Sequence, residues 1–395
     1  MDSHTPRVLM LLEGKYPALA AGGVEFQVRF LARSLRDHGS GVRVVAPMLR
    51  SGEQREDDVV DGIAVHRIRY PDVRLLGGVV LLTRLGWYLL RHRDDYDVIH
   101  AHVANKMAAV ACVVGRGLGK TVVVKLTGAV ELNDGILKSG SVGPRILLLR
   151  WAMRRATFFQ AISAHIAGLL RETGFRPETI RRIPNAVDTD RFAVSPRSAR
   201  SDGRRIAVYL GRLVPEKGLE SLLAAWGNTV ASDEDAELRV IGDGPLRSSL
   251  ERQVARLGVG HQVRFLGATP QPAELVREAD FCILPSLAEG LSNTLLEQMS
   301  AAKPVLGSRV SGTEDFVVDG ETGWLFECGD QRELETKLRA ALNTDRETLL
   351  ELGARARKRV LADASVTVVL GQLLELYGFV RSSGGPESST ASVPG

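Results

Sequence analysis

The sequence predicts a two-part α/β protein in which two Rossmann-like parallel sheets face each other across a cleft. Three observations carry this. Short apolar runs alternate with helical patterns, the grammar of strand–helix–strand units and parallel sheets. The alternation lapses once, in FAVSPRSARSDGRR, and then starts again. The length of 395 residues suffices for two cores, and 44% hydrophobic with 25% charged residues is the balance of a globular chain. The 40 glycines and few aromatics suit many tight strand-to-helix turns.

In the first half the strands read RVLMLL, VRVVAP, IAVHRI, DVIHAH, TVVVKL and FFQAIS. The helix GGVEFQVRFLARSLRDHG places Val24, Val28, Leu31 and Leu35 on one stripe, and Gly39 follows its end. The second half repeats the pattern with IAVYLG, ELRVIG, QVRFLG, DFCILP and KPVLGS, each followed by a helical stretch. The divisions are 1–197, 198–364, a last helix over 365–380, and a tail over 381–395. That tail, RSSGGPESSTASVPG, has too few large apolar residues to order itself.

Several classes are excluded. Cys112, Cys282 and Cys328 are odd in number and widely spaced, which fits neither a disulfide framework nor a CxxC metal site and points to a reducing cytoplasm. The opening apolar run is too short for a signal peptide, and LLGGVVLLTRLGWYLL is too short for a membrane span and is broken by Arg84. VGRGLGKT resembles a phosphate-binding loop, but Val114 occupies the first glycine position and the run leads into a strand. The net charge of +4 is unevenly placed: six arginines against one acid, Asp72, from His66 to Arg93, and four arginines without an acid from Gly143 to Arg155. This reads as a solvated basic face, an anionic membrane surface or an anionic substrate site. No nucleic-acid motif accompanies it.

In open parallel sheets ligands bind beyond the carboxyl ends of the strands, and the unusual residues gather there. After VLMLL, Gly22 and Gly23 open a helix whose bare amides suit a phosphate, or simply form a turn. After IAVYLG come Arg212 and Lys217, two cations able to neutralise a diphosphate, or an ordinary surface pair. After LRVI come Gly242, Gly244 and Pro245. Pro245 suits a first helical position, and the glycines either let a flat ring approach the backbone or form a plain turn. DVIHAH ends in His100 and His102 on one face. No third ligand has metal spacing, so the expectation is a hydrogen-bonding His102 at the cleft, or a structural one.

The stretch LPSLAEGLSNTLLEQMSAAKP holds Glu289 and Glu297 eight residues apart. Thr294 with Glu297 reads as a capping box, which leaves only a short helix before Lys303 and Pro304. A start near Ser292 gives a longer helix capped by Ser292 or Asn293, with Glu297 in its second turn. On that second reading the amides of Gly290, Leu291, Ser292 and Asn293 face an anion while both carboxylates accept sugar hydroxyls. A sugar nucleotide has that chemistry.

Taken together, AGGVEFQVRFLARSL, DVIHAH, RRIPNAVDTDRF, GRLVPEKGLESLL, VIGDGPLRSSL and the long LPSLAEGLSNTLLEQMSAAKPVLGSRVSGTEDFVVDGETGWLF resemble glycosyltransferase family 4, the retaining transferases of the GT-B fold. The resemblance spans most of the chain, and its most specific mark is the paired glutamates. It implies a first domain for the acceptor and a second for the nucleotide sugar. Glu289 and the amides after it would hold the donor sugar and diphosphate, and Glu297 the ribose. Arg212 and Lys217 would neutralise the diphosphate near Gly23, Gly242 to Pro245 would line the base pocket, and His102 would sit between donor and acceptor. The resemblance implies a UDP-sugar co-substrate, no required metal, and a last helix that returns to the first domain. The chain departs from the family in three places. KLTGAVELND stands where relatives have a His-containing turn, Ala186 gives PNAVD in place of PNGVD, and LADASVTVVLGQLLELY lacks an aromatic pair.

The expected function is retaining transfer of a sugar to an acceptor hydroxyl, in polysaccharide, glycolipid or secondary-metabolite biosynthesis. Two alternatives stand beside it, a sugar-nucleotide epimerase of the same fold and a noncatalytic sugar-binding protein. The diphosphate clamp argues against the latter, since a neutral sugar needs none. The expected partners are the nucleotide sugar and an acceptor glycan, glycolipid or small molecule, with no nucleic acid. The expected location is the cytoplasm, with peripheral contact on the inner membrane face through the basic segments.

Overall fold

A computed structural model of the chain describes residues 5–14, 16–17, 22–48, 55–73, 76–128, 136–137, 143–193, 204–230 and 235–378. The first sheet holds β1 (Arg7–Leu11), β2 (Gly41–Pro47), β3 (Asp57–Val60), β4 (Ile63–Ile68), β5 (Val98–Ala101), β6 (Thr121–Leu126), β7 (Phe158–Ala161) and β8 (Ile180–Arg182). Its order is β3-β4-β2-β1-β5-β6-β7-β8. The second holds β9 (Arg205–Leu210), β10 (Ala236–Ile241), β11 (Val263–Gly267), β12 (Phe281–Leu284), β13 (Val305–Ser308) and β14 (Gly323–Phe326), in the order β11-β10-β9-β12-β13-β14. Only the edge pair β3 and β4 is antiparallel among the described pairings. Both sheets are the predicted parallel kind, with helices between strands, so the ligand-binding edge of each is its carboxyl-terminal edge.

The helix Gly23–Asp37 buries Val28, Leu31 and Leu35 against the first sheet, as its stripe requires. Each such side chain removed from water contributes roughly 1.5–3 kcal/mol. The helix Val366–Leu376 lies against the same helix and brings Val369 and Leu373 into the same cluster. Its last neighbour Tyr377 reaches His100 of β5 at 2.7 Å from its hydroxyl to Nδ1. The end of the chain thus returns to the first sheet. A second cluster joins the two halves, with Ile162 and Ile166 from one packed together with Leu291 and Leu295 from the other.

Three strands lie outside the runs read from sequence: β3, β8 and β14. The interdomain stretch is described only at 192–193 and 204–205, and the tail over 381–395 lies outside the described residues. The phosphate-loop lookalike ends a helix at Gly117 and turns at Gly119, with φ +69°, into β6, which confirms its rejection. The cysteines are free. Among the described residues no helix is long and apolar enough to cross a membrane, and no group of three or more His, Cys, Asp or Glu is placed to hold a metal ion.

Candidate active site

The carboxyl-terminal ends of β9 and β12 lie side by side in the second sheet, and their loops carry Arg212, Lys217 and Glu289. Lys217 sits in a one-turn segment, Pro215–Lys217, closed by Gly218 in the left-handed conformation at φ +66°. A side chain at Gly218 would strike the carbonyl of Pro285, so the glycine is what lets the lysine loop lie on the β12 loop. The Lys217 ammonium is paired with Glu289 Oε1, which also accepts from Ser286 Oγ at 2.9 Å. Arg212 is exposed and makes no side-chain hydrogen bond or ion pair with a described residue, while its carbonyl accepts from the Tyr209 hydroxyl at 2.8 Å.

The 290–293 segment is the second component. Gly290, Leu291 and Ser292 are buried, and the amides of these residues and Asn293 donate to no described group. The helix runs Asn293–Ser300 with Ser292 at its N-cap, so the capping box starting at Thr294 does not form. Ser292 does not cap through its side chain as expected. Its hydroxyl pairs instead with Thr294 Oγ1 at 3.0 Å, which leaves the helix amides open. Asn293 also has a different task. Its Oδ1 accepts from Asn185 at 2.9 Å and from Gln27 at 3.1 Å, and its Nδ2 donates to the carbonyl of Gly23 at 3.1 Å. Gly23 and Asn293, predicted separately, therefore meet across the two halves. Ser163 with Ser311, at 2.8 Å, and Asp315 accepting from the amide of Ala164, also at 2.8 Å, close the same face.

Glu297 follows one turn on. Its carboxyl has no hydrogen-bond or ion-pair partner among the described residues, and burial pushes its pKa up to about 7 against the weaker pull of Arg191. A carboxyl held at the edge of ionisation without a partner can take up a hydroxyl donor on arrival.

Gly290 is in close contact with the first half: a Cβ on Gly128 would lie 2.8 Å from its Cα, and one on Gly290 would collide with the carbonyl of Thr127. Gly22 is the N-cap and Gly23 the first residue of the helix Gly23–Asp37, as expected. A side chain at Gly22 would run into the Glu25 carboxylate, which folds back over the helix start. The glycines after β10 take part in loop packing. A Cβ on Gly242 would strike the carbonyl of Gly211, and one on Gly244 would strike that of Leu213, so both glycines let two loops pack together. Pro245 is not at a first helical position, because the helix begins at Arg247 after a turn.

His102 departs furthest. The sequence points to a hydrogen-bonding ring at the cleft, but the ring is fully buried and neither nitrogen has a partner. It stacks on His100 with centroids 4.2 Å apart, and burial, with His100 and Lys125 beside it, drives its pKa well below the usual value. Sequence reading passed over Lys125, buried on the neighbouring strand, although a lone cation in the apolar run TVVVKL is itself a signal.

A family model described as Glycosyltransferase Family 4 matches residues 21–191, and one described as Glycosyl transferases group 1 matches residues 190–359. The chain belongs to the GT-B glycosyltransferases of this type. It is accordingly an enzyme that moves a sugar from a nucleotide-sugar donor to an acceptor. The glycosyltransferase is 28% identical to a phosphatidyl-myo-inositol mannosyltransferase of Mycobacterium leprae, over 92% of this chain and 94% of that one. It is 25% identical to an N-acetyl-alpha-D-glucosaminyl L-malate synthase of Bacillus anthracis, over 72% and 75% of the two chains. Among solved structures it resembles Anabaena HepE in complex with UDP, with a TM-score of 0.74 at 20% identity over 95% of this chain and all of the other. Sucrose-phosphate synthase from Thermosynechococcus elongatus gives a TM-score of 0.75 at 21% identity, over 94% and 98%. These two likenesses establish the fold of the glycosyltransferase.

Proposed function

We propose that the enzyme uses a UDP-sugar and transfers its sugar with retention of anomeric configuration, with the acceptor on residues 1–197 and the donor on 198–364. The observation that carries the donor assignment is Lys217 paired with Glu289 directly before the open amides of Gly290 to Asn293. A cation, a carboxylate and a row of unpaired N–H groups meet the needs of a diphosphate joined to a polyhydroxyl ring. Arg212 and Lys217 would take the charge that grows on the diphosphate as it leaves. Glu289 would accept the sugar's hydroxyls and Glu297 those of the ribose, with the Gly242–Pro245 loop beside the base. A structure of HepE in complex with UDP-glucose supports uridine as the base.

Retention by a covalent intermediate needs a carboxylate close to the anomeric carbon and an acid as its partner. Glu289 is instead committed to Lys217 and Ser286. Same-face attack fits better: the diphosphate departs towards Arg212 and Lys217, and its oxygen takes the proton of the incoming hydroxyl. Proton NMR of the first-formed product tests this. The donor's anomeric configuration should be kept, with no glycosyl adduct on Glu289 by mass spectrometry. An inverted product would refute the retaining assignment, and an adduct the same-face route.

Membrane contact belongs to the same reading. The helices Leu76–Arg91, Lys106–Gly117 and Pro144–Met153 are neighbours on the first half, and Val79, Trp87, Leu90, Leu148 and Trp151 stand exposed on the outer two. Arg84, Arg91 and Arg145 are exposed among them, and Arg155 lies 3.6 Å over the Trp151 ring. Apolar side chains framed by arginine suit an anionic bilayer surface. Arg67 does not belong to that face, because it is buried and paired with Asp58 at 3.0 Å.

A further inference from the structure

Along three adjacent strands of the first sheet, the face towards the helices Gly23–Asp37 and Val366–Leu376 changes character from one end to the other. It is apolar at the strand starts, with Val98, Val123 and Phe158, and polar at the carboxyl-terminal ends, with His100 and His102, Lys125 and Gln160. All four polar side chains are at most 2% exposed. His100 spends one nitrogen on Tyr377, and Gln160 spends its amide on the carbonyl of Ile183 at 3.1 Å. His100 and Gln160 also interact side chain to side chain. What remains is three buried polar atoms without a partner: both nitrogens of His102 and Lys125 Nζ.

We propose that His102 and Lys125 form an oxyanion subsite for a carboxylate or phosphate group of the acceptor. The neutral His102 ring offers one N–H and Lys125 its amine, and no described carboxylate acts on the two. The charges felt by His102 are those of His100 and Lys125, and Lys125 is shifted by burial alone. A buried polar group without a partner is costly, and three such atoms together call for an occupant that satisfies them jointly. Its sign is set by Lys125, whose amine burial pushes down to about 7 and which an arriving anion would recharge. The other groups around the row are neutral: Met10 on β1, Gln27 on the first helix, Asn185 and Tyr377. The row ends where the sheet meets the donor loop, because Thr127 and Gly128 follow Lys125 onto Gly290 and Asn185 donates to the carbonyl of Leu291 at 3.1 Å. On this proposal an anion would reach the row only when those contacts part. Calling the occupant an acceptor rests on the sugar-transfer reading. The binding of an oxyanion does not.

The test therefore needs no turnover. The double variant Arg212→Met, Lys217→Met removes the diphosphate cations, and calorimetric titration with inorganic phosphate and, separately, acetate then reports the second site. Adding Lys125→Met should weaken one of the probes at least fivefold, and the probe affected names the oxyanion. Equal affinities with and without Lys125, or no binding of either probe before its removal, would overturn the proposal. Lys125→Met replaces an unpartnered amine with an apolar chain of similar length, so its melting temperature should hold or rise. Should it fail to fold, the ring nitrogens of His102 in the Arg212→Met, Lys217→Met chain give a second readout by NMR. They should shift as a probe binds, and unshifted signals at saturation would overturn the proposal equally.

Discussion

The ammonium of Lys217 is held by the carboxylate of Glu289, 72 residues further along the chain, with side chains only 16% and 12% exposed. Before a diphosphate can use that cation, the pair must open. Glu289→Gln should therefore bind UDP alone more tightly than the parent does, by roughly fivefold if the partly buried pair is worth about 1 kcal/mol. It should also transfer sugar more slowly. Lys217→Met should weaken UDP binding. Calorimetry on the three proteins decides: unchanged UDP affinity in Glu289→Gln would mean that the carboxylate does not compete for the lysine.

Glu297 gives the donor site a pH dependence. Its folded-state pKa of about 7 lies above the usual carboxylate value. The folded chain therefore holds more protons than the unfolded chain between roughly pH 4.5 and 7, so this group's effect on stability worsens as pH rises through that window. Donor binding runs the other way, because ribose hydroxyls donate to the ionised form. Affinity should improve about tenfold from pH 6 to pH 8. Glu297→Gln should flatten that profile and weaken binding at pH 8 by roughly 1.5–3 kcal/mol. A profile that persists in the variant would assign the titration elsewhere.

Asn293→Ala deletes one acceptor shared by Gln27 and Asn185 and one donor to Gly23. The two halves should part more easily while each sheet keeps its own core. Small-angle scattering should show a larger radius of gyration for the variant than for the parent, with unchanged circular dichroism. Identical scattering curves would show that Ser163, Ser311 and Asp315 suffice to hold the halves together.

Ala302 stands at φ +55°, just beyond the helix Asn293–Ser300, in a conformation that suits glycine. Ala302→Gly relieves the Cβ strain but gives the unfolded chain more freedom. The net stabilisation should be ~0.5–1 kcal/mol, read as a small rise in melting temperature. A fall would mean that the methyl group's contacts outweigh the strain.

Liposome cosedimentation tests the exposed apolar and arginine face. Binding to anionic vesicles should fall as salt rises, and should fall further in Trp87→Ser, Trp151→Ser. No binding at low salt would leave a solvated surface.

The sheets were legible in the sequence because most of their strands are runs of β-branched and aliphatic residues buried on both faces. The strands that escaped are short or mixed. β8 carries two arginines, β14 opens with a glycine, and β3 opens with two aspartates. The Asp61–Gly62 turn, with φ of +51° and +75°, was the overlooked hairpin signal for β3. At the site, the residue types could be read from strand ends, but their pairings could not. Nothing in local spacing joins Lys217 to Glu289 or Gln27 to Asn293, since both are products of tertiary approach. Nor does spacing say whether a glycine frees room for a ligand or for another loop, as Gly242 and Gly244 show. His102 was read from its place in the strand, whereas its burial depends on a helix that arrives from the far end of the chain.

That late arrival has a mechanical consequence. The chain leaves the first half shortly after Val187 and comes back at Ser365, and these two residues are bridged in parallel, with the amide of Val187 donating to the carbonyl of Ala364 at 3.0 Å. Outgoing and returning segments are thus joined there, and Arg357 adds a bond to the carbonyl of Phe192 at 3.4 Å, so a turn of one half against the other would pivot near this crossing. Turning one half against the other displaces atoms in proportion to their distance from that point. A fluorophore on the exposed thiol of Cys328 would ride on the moving half and register the swing without any added cysteine.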